Sequence, residues 1–191
     1  MTDAALPVSM TTAEIRQGWA DLLCRYTWDV FGTHTYRDPV RASEKVERDV
    51  VRWLREWCCV AAEHLGLARH ERKEKRDAYG RVIAVRSRWR GPFVNGLKRN
   101  SPDCRSVFVV GVEQHRSGLL HAHTLVRLPG LLAADMRRED GWRMWKDMFG
   151  FGRFEPPSNQ DDVAGYVSKY VVKGGELVLS PTFTAQSMQA G

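Results

Sequence analysis

Apolar positions recur along this chain at two spacings, a helical one near 3.6 residues and a strand-like one near 2. The changes from one to the other mark out its elements. Thr11-Thr12-Ala13-Glu14 has the form of a capping box and opens a helix to about Tyr26, with Ile15, Trp19, Leu22 and Leu23 along one side. Trp28 to Tyr36 is rich in β-formers and predicts a strand, stopped by Arg37-Asp38-Pro39. Residues 41–65 carry the longest helical stripe (Val46, Val50, Trp53, Leu54, Trp57, Val60), with Gly66 placed to end it. Two strands are expected at about 105–115 and 119–128, the second closed by Leu128-Pro129-Gly130. A helix over roughly 131–148 follows, holding Trp142 and Trp145. Phe151 to Glu155 reads as a short strand stopped by Pro156-Pro157. A last helix starts at Asn159 or Asp161, runs to about Lys173 and stops at Gly174-Gly175. No internal repeat occurs. This order predicts an α+β fold, with one largely antiparallel sheet and helices packed on it.

Composition adds bounds. A chain of 191 residues, 43% hydrophobic and 27% charged, suits one domain with a real core. That domain is expected over 11–180, between a disordered N-terminus (1–10) and a flexible tail (181–191). No apolar run approaches the roughly 20 residues of a membrane span. Met1 to Val8 has neither a basic start nor an apolar signal core, so the expected location is the cytoplasm, with no membrane partner. Cys24, Cys58, Cys59 and Cys104 form no Cys-x-x-Cys pair, which argues for buried free thiols over disulfides or a cysteine zinc site.

Charge changes the picture more. The chain carries a net +6, yet residues 69–99 alone hold eleven Lys/Arg against three Asp/Glu. Such a block is an electrostatic footprint for a polyanion. A hairpin around Val82-Ile83-Ala84-Val85 and adaptable loops are expected within it. Arg86, Arg88, Arg90, Lys98 and Arg99 are its candidate phosphate contacts, and Tyr79, Trp89 and Phe93 could stack on unpaired bases.

The candidate chemistry lies further along. His121-Ala122-His123 sits in a predicted strand, where residues i and i+2 share a face, so two imidazoles project together as a metal-ligand pair. The preceding strand ends in Glu113-Gln114-His115, and Glu113 and His115 also share a face. A turn over Arg116–Leu120 would set Glu113 beside His123 and His115 beside His121. Either one is then a candidate third ligand. Such a site leaves open positions for water and phosphate oxygens. Imidazole favours Mn2+ or Zn2+, whereas Mg2+ prefers oxygen. Some 45 residues after His121 comes Tyr166-Val167-Ser168-Lys169-Tyr170. On a helix the two tyrosines lie about 40° apart, one turn from each other, at the border of core and solvent. A cation, either the metal or Lys169, would favour the phenolate of a tyrosine nucleophile.

Three segments, in order, together resemble the HUH endonucleases, and more narrowly the rolling-circle replication initiators of small phages and plasmids. Phe31-Gly32-Thr33-His34-Thr35-Tyr36-Arg37 resembles their first motif, a strand ending in Thr-x-Thr-Tyr. Glu113 to His123 resembles the second, with the Glu, Gly and spacing of microvirus-type initiators, and Tyr166 to Lys173 resembles the two-tyrosine third. The resemblance covers about 28–175. It implies a five-stranded antiparallel sheet, His121 and His123 as metal ligands with a third acidic or histidine ligand, and a divalent cofactor, Mg2+ or Mn2+. It also implies a tyrosine that attacks one DNA strand, leaving a 5′-phosphotyrosine and a free 3′-OH. In related plasmid initiators a glutamate stands at the place of Tyr166, so Tyr170 is the first nucleophile and Tyr166 the second. The implied partners are single-stranded DNA or an origin hairpin, with a helicase and polymerase supplied by a bacterial host. His34 departs from the family pattern, where a hydrophobic residue is usual, and is either structural or part of the site. Relaxases and two-tyrosine transposases share this chemistry. A non-catalytic DNA-binding protein would need the basic block alone, and a cupin-like metalloenzyme would need a second glycine-and-histidine motif that the chain lacks.

Overall fold

A computed structural model describes residues 10–157, 159, 165, 176–181 and 183. Along the chain these form α1 (Thr12–Leu23), β1 (Val30–His34), α2 (Ser43–His64), β2 (Arg69–Arg76), β3 (Val82–Arg90), α3 (Pro92–Lys98), β4 (Val107–Gln114), β5 (Leu120–Arg127), α4 (Arg138–Met148), β6 (Gly152–Glu155) and β7 (Glu176–Leu179). Five strands make one sheet in the order β6-β1-β5-β4-β7, with every neighbouring pair antiparallel. The fold is α+β, as the order of elements predicts. β5, the strand with the paired histidines, lies at its centre.

The two faces of that sheet are built differently. On one, Val30, Val110, Val112, Ala122 and Val126 meet the apolar stripe of α2 (Val46, Val50, Trp53, Leu54, Trp57) and Trp145 of α4 in the main core. Each valine or leucine among them contributes about 1.5–3 kcal/mol on full burial. The tryptophans enter without stranding a donor. The indole N–H groups of Trp53, Trp57 and Trp145 donate to the carbonyls of Gly141 (2.8 Å), Arg137 (3.1 Å) and Thr35 (3.2 Å). Across the other face, Val107, Val109 and Leu125 pack with Leu23, Tyr26, Trp28 and Phe183 in a smaller cluster. Phe183 is buried there, stacked on Tyr26 at 4.8 Å, although the sequence places it in the tail.

Local signals set several boundaries as expected. Thr11 and Glu14 form the capping box of α1, though of that helix only Leu23 is buried and Ile15 is exposed. After α2, the N–H of Leu67 bonds to the carbonyl of Ala62 and that of Gly66 (φ +71°) to Glu63, a Schellman ending that needs the glycine's left-handed backbone.

Other boundaries differ. α4 starts at Arg138 rather than 131, because residues 130–135 make tight turns off the carbonyls of Pro129 and Leu132. The small hairpin expected at 82–85 is a long two-stranded ribbon, β2–β3, forming its own sheet. β7 was not expected from pattern, since four residues show too little alternation to separate from a loop. Cys58, Cys59 and Cys104 are buried free thiols, and Cys24 is exposed.

Candidate metal centre

The β4–β5 hairpin carries the site. Its register pairs Glu113 with His121 and Gly111 with His123, two residues away from the pairing expected above. The loop explains the difference. His115 N–H bonds to the Leu119 carbonyl and Gly118 N–H to the His115 carbonyl, leaving three residues between the bonded positions instead of five. Gly118, at φ +78°, supplies the left-handed residue that such a short loop requires. A slip of two residues preserves which face each side chain points to. Glu113, His121 and His123 therefore still converge.

Their ligand atoms all lie within 4.8 Å of one another. Glu113 Oε2 is 3.1 Å from His121 Nε2 and 3.7 Å from His123 Nε2. His123 is nearly buried, while Glu113 and His121 are partly exposed, so the triad opens toward solvent on one side. Burial, and secondarily the neighbouring His121, pushes the His123 imidazole down to about 4. At neutral pH it is therefore uncharged, the form that ligates a metal. Thr33, directly opposite His123 on β1, places its Oγ1 3.2 Å from His123 Nδ1. With Nδ1 donating to that hydroxyl, Nε2 keeps its lone pair for the site, the usual way an outer partner fixes a ligand's tautomer. Phe31, on the same face, stacks nearly parallel to His123 at 6.1 Å. Two imidazole nitrogens and one carboxylate oxygen are a donor set that fits a divalent cation.

Of the two candidate third ligands, Glu113 joins the cluster. His115 lies in the turn, its ring 6.5 Å from that of His121, with Nδ1 near Ser117 Oγ at 3.5 Å. It lines a cleft of about 370 Å3 beside His121, with Thr35, Tyr36, Arg37 and Ser117. His34 is structural. It points to the helical face, fully buried between Trp53, Trp145 and Phe154, with Nε2 2.9 Å from Thr124 Oγ1. Tyr166, Lys169 and Tyr170 lie outside the described residues. Thr33, in contact with the candidate ligand His123, is not singled out by the sequence. It stood in the Thr-x-Thr-Tyr motif, but its role depends on the β1–β5 register, which no local pattern reveals.

The basic block divides. Arg86 and Arg88 are exposed and Arg90 half-buried on the ribbon, while Lys98 and Arg99 are exposed at the end of α3. Trp89 is not available for stacking. It is buried and its indole N–H donates to Glu56 Oε2 at 2.6 Å. Phe93 is likewise in the core. Apolar packing against α2 outweighed their place in a charged stretch. Among the described residues, no helix is long and apolar enough to cross a membrane.

No protein-family model, no curated protein and no solved structure matches the chain.

Proposed function

We propose that the chain is a metal-dependent DNA strand transferase of the HUH type, which nicks and rejoins single-stranded DNA to start rolling-circle replication. The observation that carries this reading is the convergence of His121 Nε2 and His123 Nε2 on Glu113 Oε2 at the open edge of the central hairpin. A divalent cation held there, Mn2+ or Mg2+, would polarise a phosphate oxygen and offset the charge that builds on it. The chain's own residues supply the rest. Tyr170 gives its phenolic proton to water and its oxygen attacks the phosphorus. A tyrosine–phosphorus bond forms as the bond to the 3′ oxygen breaks, and that oxygen takes up a proton. One phosphodiester replaces another, so the step is reversible and the stored bond permits rejoining. Lys169 favours the phenolate. Tyr166 makes the second attack that releases or transfers the strand. Thr33 holds His123 in the ligating tautomer, and Arg37 and His115, in the adjoining cleft, face the incoming phosphates.

The test is a covalent adduct. Incubated with Mn2+ and single-stranded DNA containing an origin from the same replicon, the chain should form a complex that survives denaturant. Chelation or Tyr170→Phe should remove it. Tyr166→Phe should still form the first adduct but fail at transfer. Mass spectrometry of the linked peptide identifies the nucleophile. A linkage found only on Tyr166 reverses the order of the tyrosines, and cleavage by the double Phe variant removes the tyrosine mechanism altogether.

A further inference from the structure

The β2–β3 ribbon carries a charge pattern that the proposed chemistry does not use. Residues 69–90 hold nine Lys/Arg against three Asp/Glu, a net +6 equal to that of the entire chain, so the remainder is balanced. The register sorts these charges. Paired residues in an antiparallel ribbon share a face, and faces alternate along each strand. One face therefore carries Arg69, Lys73 and Lys75 from β2 and Arg86, Arg88 and Arg90 from β3, with Glu71 as its single acid. Glu71 is shared among Arg69 (3.1 Å), Arg88 (3.5 Å) and Arg90 (3.5 Å). No ion pair within the described residues involves Lys73, Lys75 or Arg86.

Two cross-strand pairs on this face are of like charge, Arg69 opposite Arg90 and Lys73 opposite Arg86. Like charges directly opposite destabilise a strand pair. A two-stranded ribbon is marginal to begin with. The pattern therefore works against the ribbon's own folding unless a polyanion covers it. The base is nevertheless firmly set. Trp89 is tied to Glu56 of α2, the His70 N–H donates to Glu63 Oε1 at 3.2 Å, and the tip is closed by Asp77 Oδ1, which accepts the N–H groups of Tyr79 and Arg81. Beyond the base the strands are almost wholly exposed, and Tyr79 at the tip is 86% exposed. Nine residues of β3 span about 30 Å. The major groove of B-form DNA, about 12 Å wide, admits a two-stranded ribbon, whereas the major groove of A-form RNA is deep and too narrow.

We infer that this ribbon is a duplex-DNA-binding arm that lies in the major groove, separate from the single strand handled at the metal centre. The inference deepens the DNA reading above and rests on it for the choice of DNA as the polyanion. It explains how a small nickase could stay beside its origin while the cut strand is displaced. The arm grips paired DNA and the triad works on the unpaired strand.

The test uses the full chain in EDTA, so no cleavage occurs and the outcome does not depend on the metal. Binding to a mixed-sequence 20-base-pair DNA duplex is followed by fluorescence anisotropy across a salt series. The parent should show a log–log salt slope of about −4 to −5, as for five neutralised phosphates. The Lys73→Ser/Lys75→Ser/Arg86→Ser variant should lower the slope by about 3, with a melting temperature no lower than the parent's, because the like-charge pair is relieved. It should lose duplex affinity by a larger factor than single-strand affinity. An RNA duplex of the same length should bind more weakly than the DNA duplex. An unaltered duplex affinity in the variant overturns the arm. So does equal loss for single and double strands, or equal binding of RNA and DNA duplexes. Failure of the two proposals is distinguishable. Metal-dependent cleavage of single strands without duplex binding removes the arm alone, and duplex binding without any covalent adduct removes the nickase alone.

Discussion

His34 and His123 stand on adjacent strands, almost level in the register, and have opposite fates. Thr33 pairs with His123, and His34, one residue on, pairs with Ala122. That single step turns His34 onto the helical face, among Trp53, Trp145 and Phe154, while His123 shares the other face with His121 and Glu113. Both imidazoles are desolvated and both are held neutral, His34 down to about 3 and His123 to about 4. What separates them is the company on their face. A histidine ringed by aromatics, with one hydroxyl to bond, is a packing residue. A histidine beside a second imidazole, a carboxylate and an open edge has the surroundings to hold a metal ion. Burial and a shifted pKa alone would not have told them apart.

The strongest way to break that contrast is to remove each ring in turn. His123→Ala, or His121→Ala, should reduce Mn2+ affinity by at least about 100-fold and abolish the covalent adduct, with thermal stability near that of the parent for the partly exposed His121 and a smaller loss at His123 than at His34. Calorimetric titration with Mn2+ and a melting curve check the two halves separately. Full cleavage by either variant would mean that the triad is not the working site. Glu113→Gln should follow the same direction, and His115→Ala should leave Mn2+ affinity nearly unchanged.

His34→Ala should give the mirror result. It opens a cavity between three large aromatic rings and leaves Thr124 Oγ1 without its partner, a cost of about 2–5 kcal/mol. Mn2+ affinity, measured at a temperature where the variant is still folded, should be retained. A His34→Ala protein that is fully stable but blind to Mn2+ would place His34 in the site after all.

The same contrast predicts a pH dependence. Unfolded, His34 takes up a proton below about 6.5, but buried it stays neutral down to about 3. The unfolded state then binds more protons, so stability is fully present above pH 6.5 and falls as the pH drops toward 3, with a limiting slope of about 1.4 kcal/mol per pH unit. His123 adds a second contribution of the same sign. Denaturant melts between pH 7 and pH 4 measure the combined slope. His34→Leu should flatten it without removing it, and an unchanged slope would show that His34 is protonated in the folded chain.

Sequence pattern foretold the two faces but not the pairing across them. Val46 through Trp57 buries one face of α2 at helical spacing, and the apolar runs of β4 and β5 are buried on both faces of the sheet, so pattern alone locates these elements. The hairpin register escaped because slips of two residues keep the same side chains inward, leaving the choice to the loop, where Gly118 permits a tighter turn than expected. β2 escaped for a different reason. Arg69-His70-Glu71-Arg72-Lys73-Glu74-Lys75-Arg76 has no apolar alternation, because a ribbon with hardly any buried surface has no need of one. Trp89 and Phe93 misled in the other direction, as core anchors set inside a charged stretch. The triad was legible up to the choice between Glu113 and His115, which turned on that two-residue slip.

The smallest expected effect sharpens the comparison most, because it concerns one hydrogen bond. Thr33 Oγ1 is 3.2 Å from His123 Nδ1 and belongs to the same face, whereas Thr35, two residues on, donates to the Phe151 carbonyl away from the triad. Valine matches threonine in shape, so Thr33→Val removes the acceptor for Nδ1–H with little change in packing. Without it the His123 ring can exchange tautomers and point its proton at the site, and Mn2+ affinity should fall roughly tenfold. Thr33→Ser should restore most of it by returning the oxygen. Thr35→Val should cost stability at the β1 end but leave Mn2+ affinity alone. Calorimetric titration of the three variants reads this directly. Equal Mn2+ affinity for Thr33→Val and the parent would mean that packing against Phe31 and the neighbouring strand, rather than the threonine hydroxyl, fixes the ligating histidine.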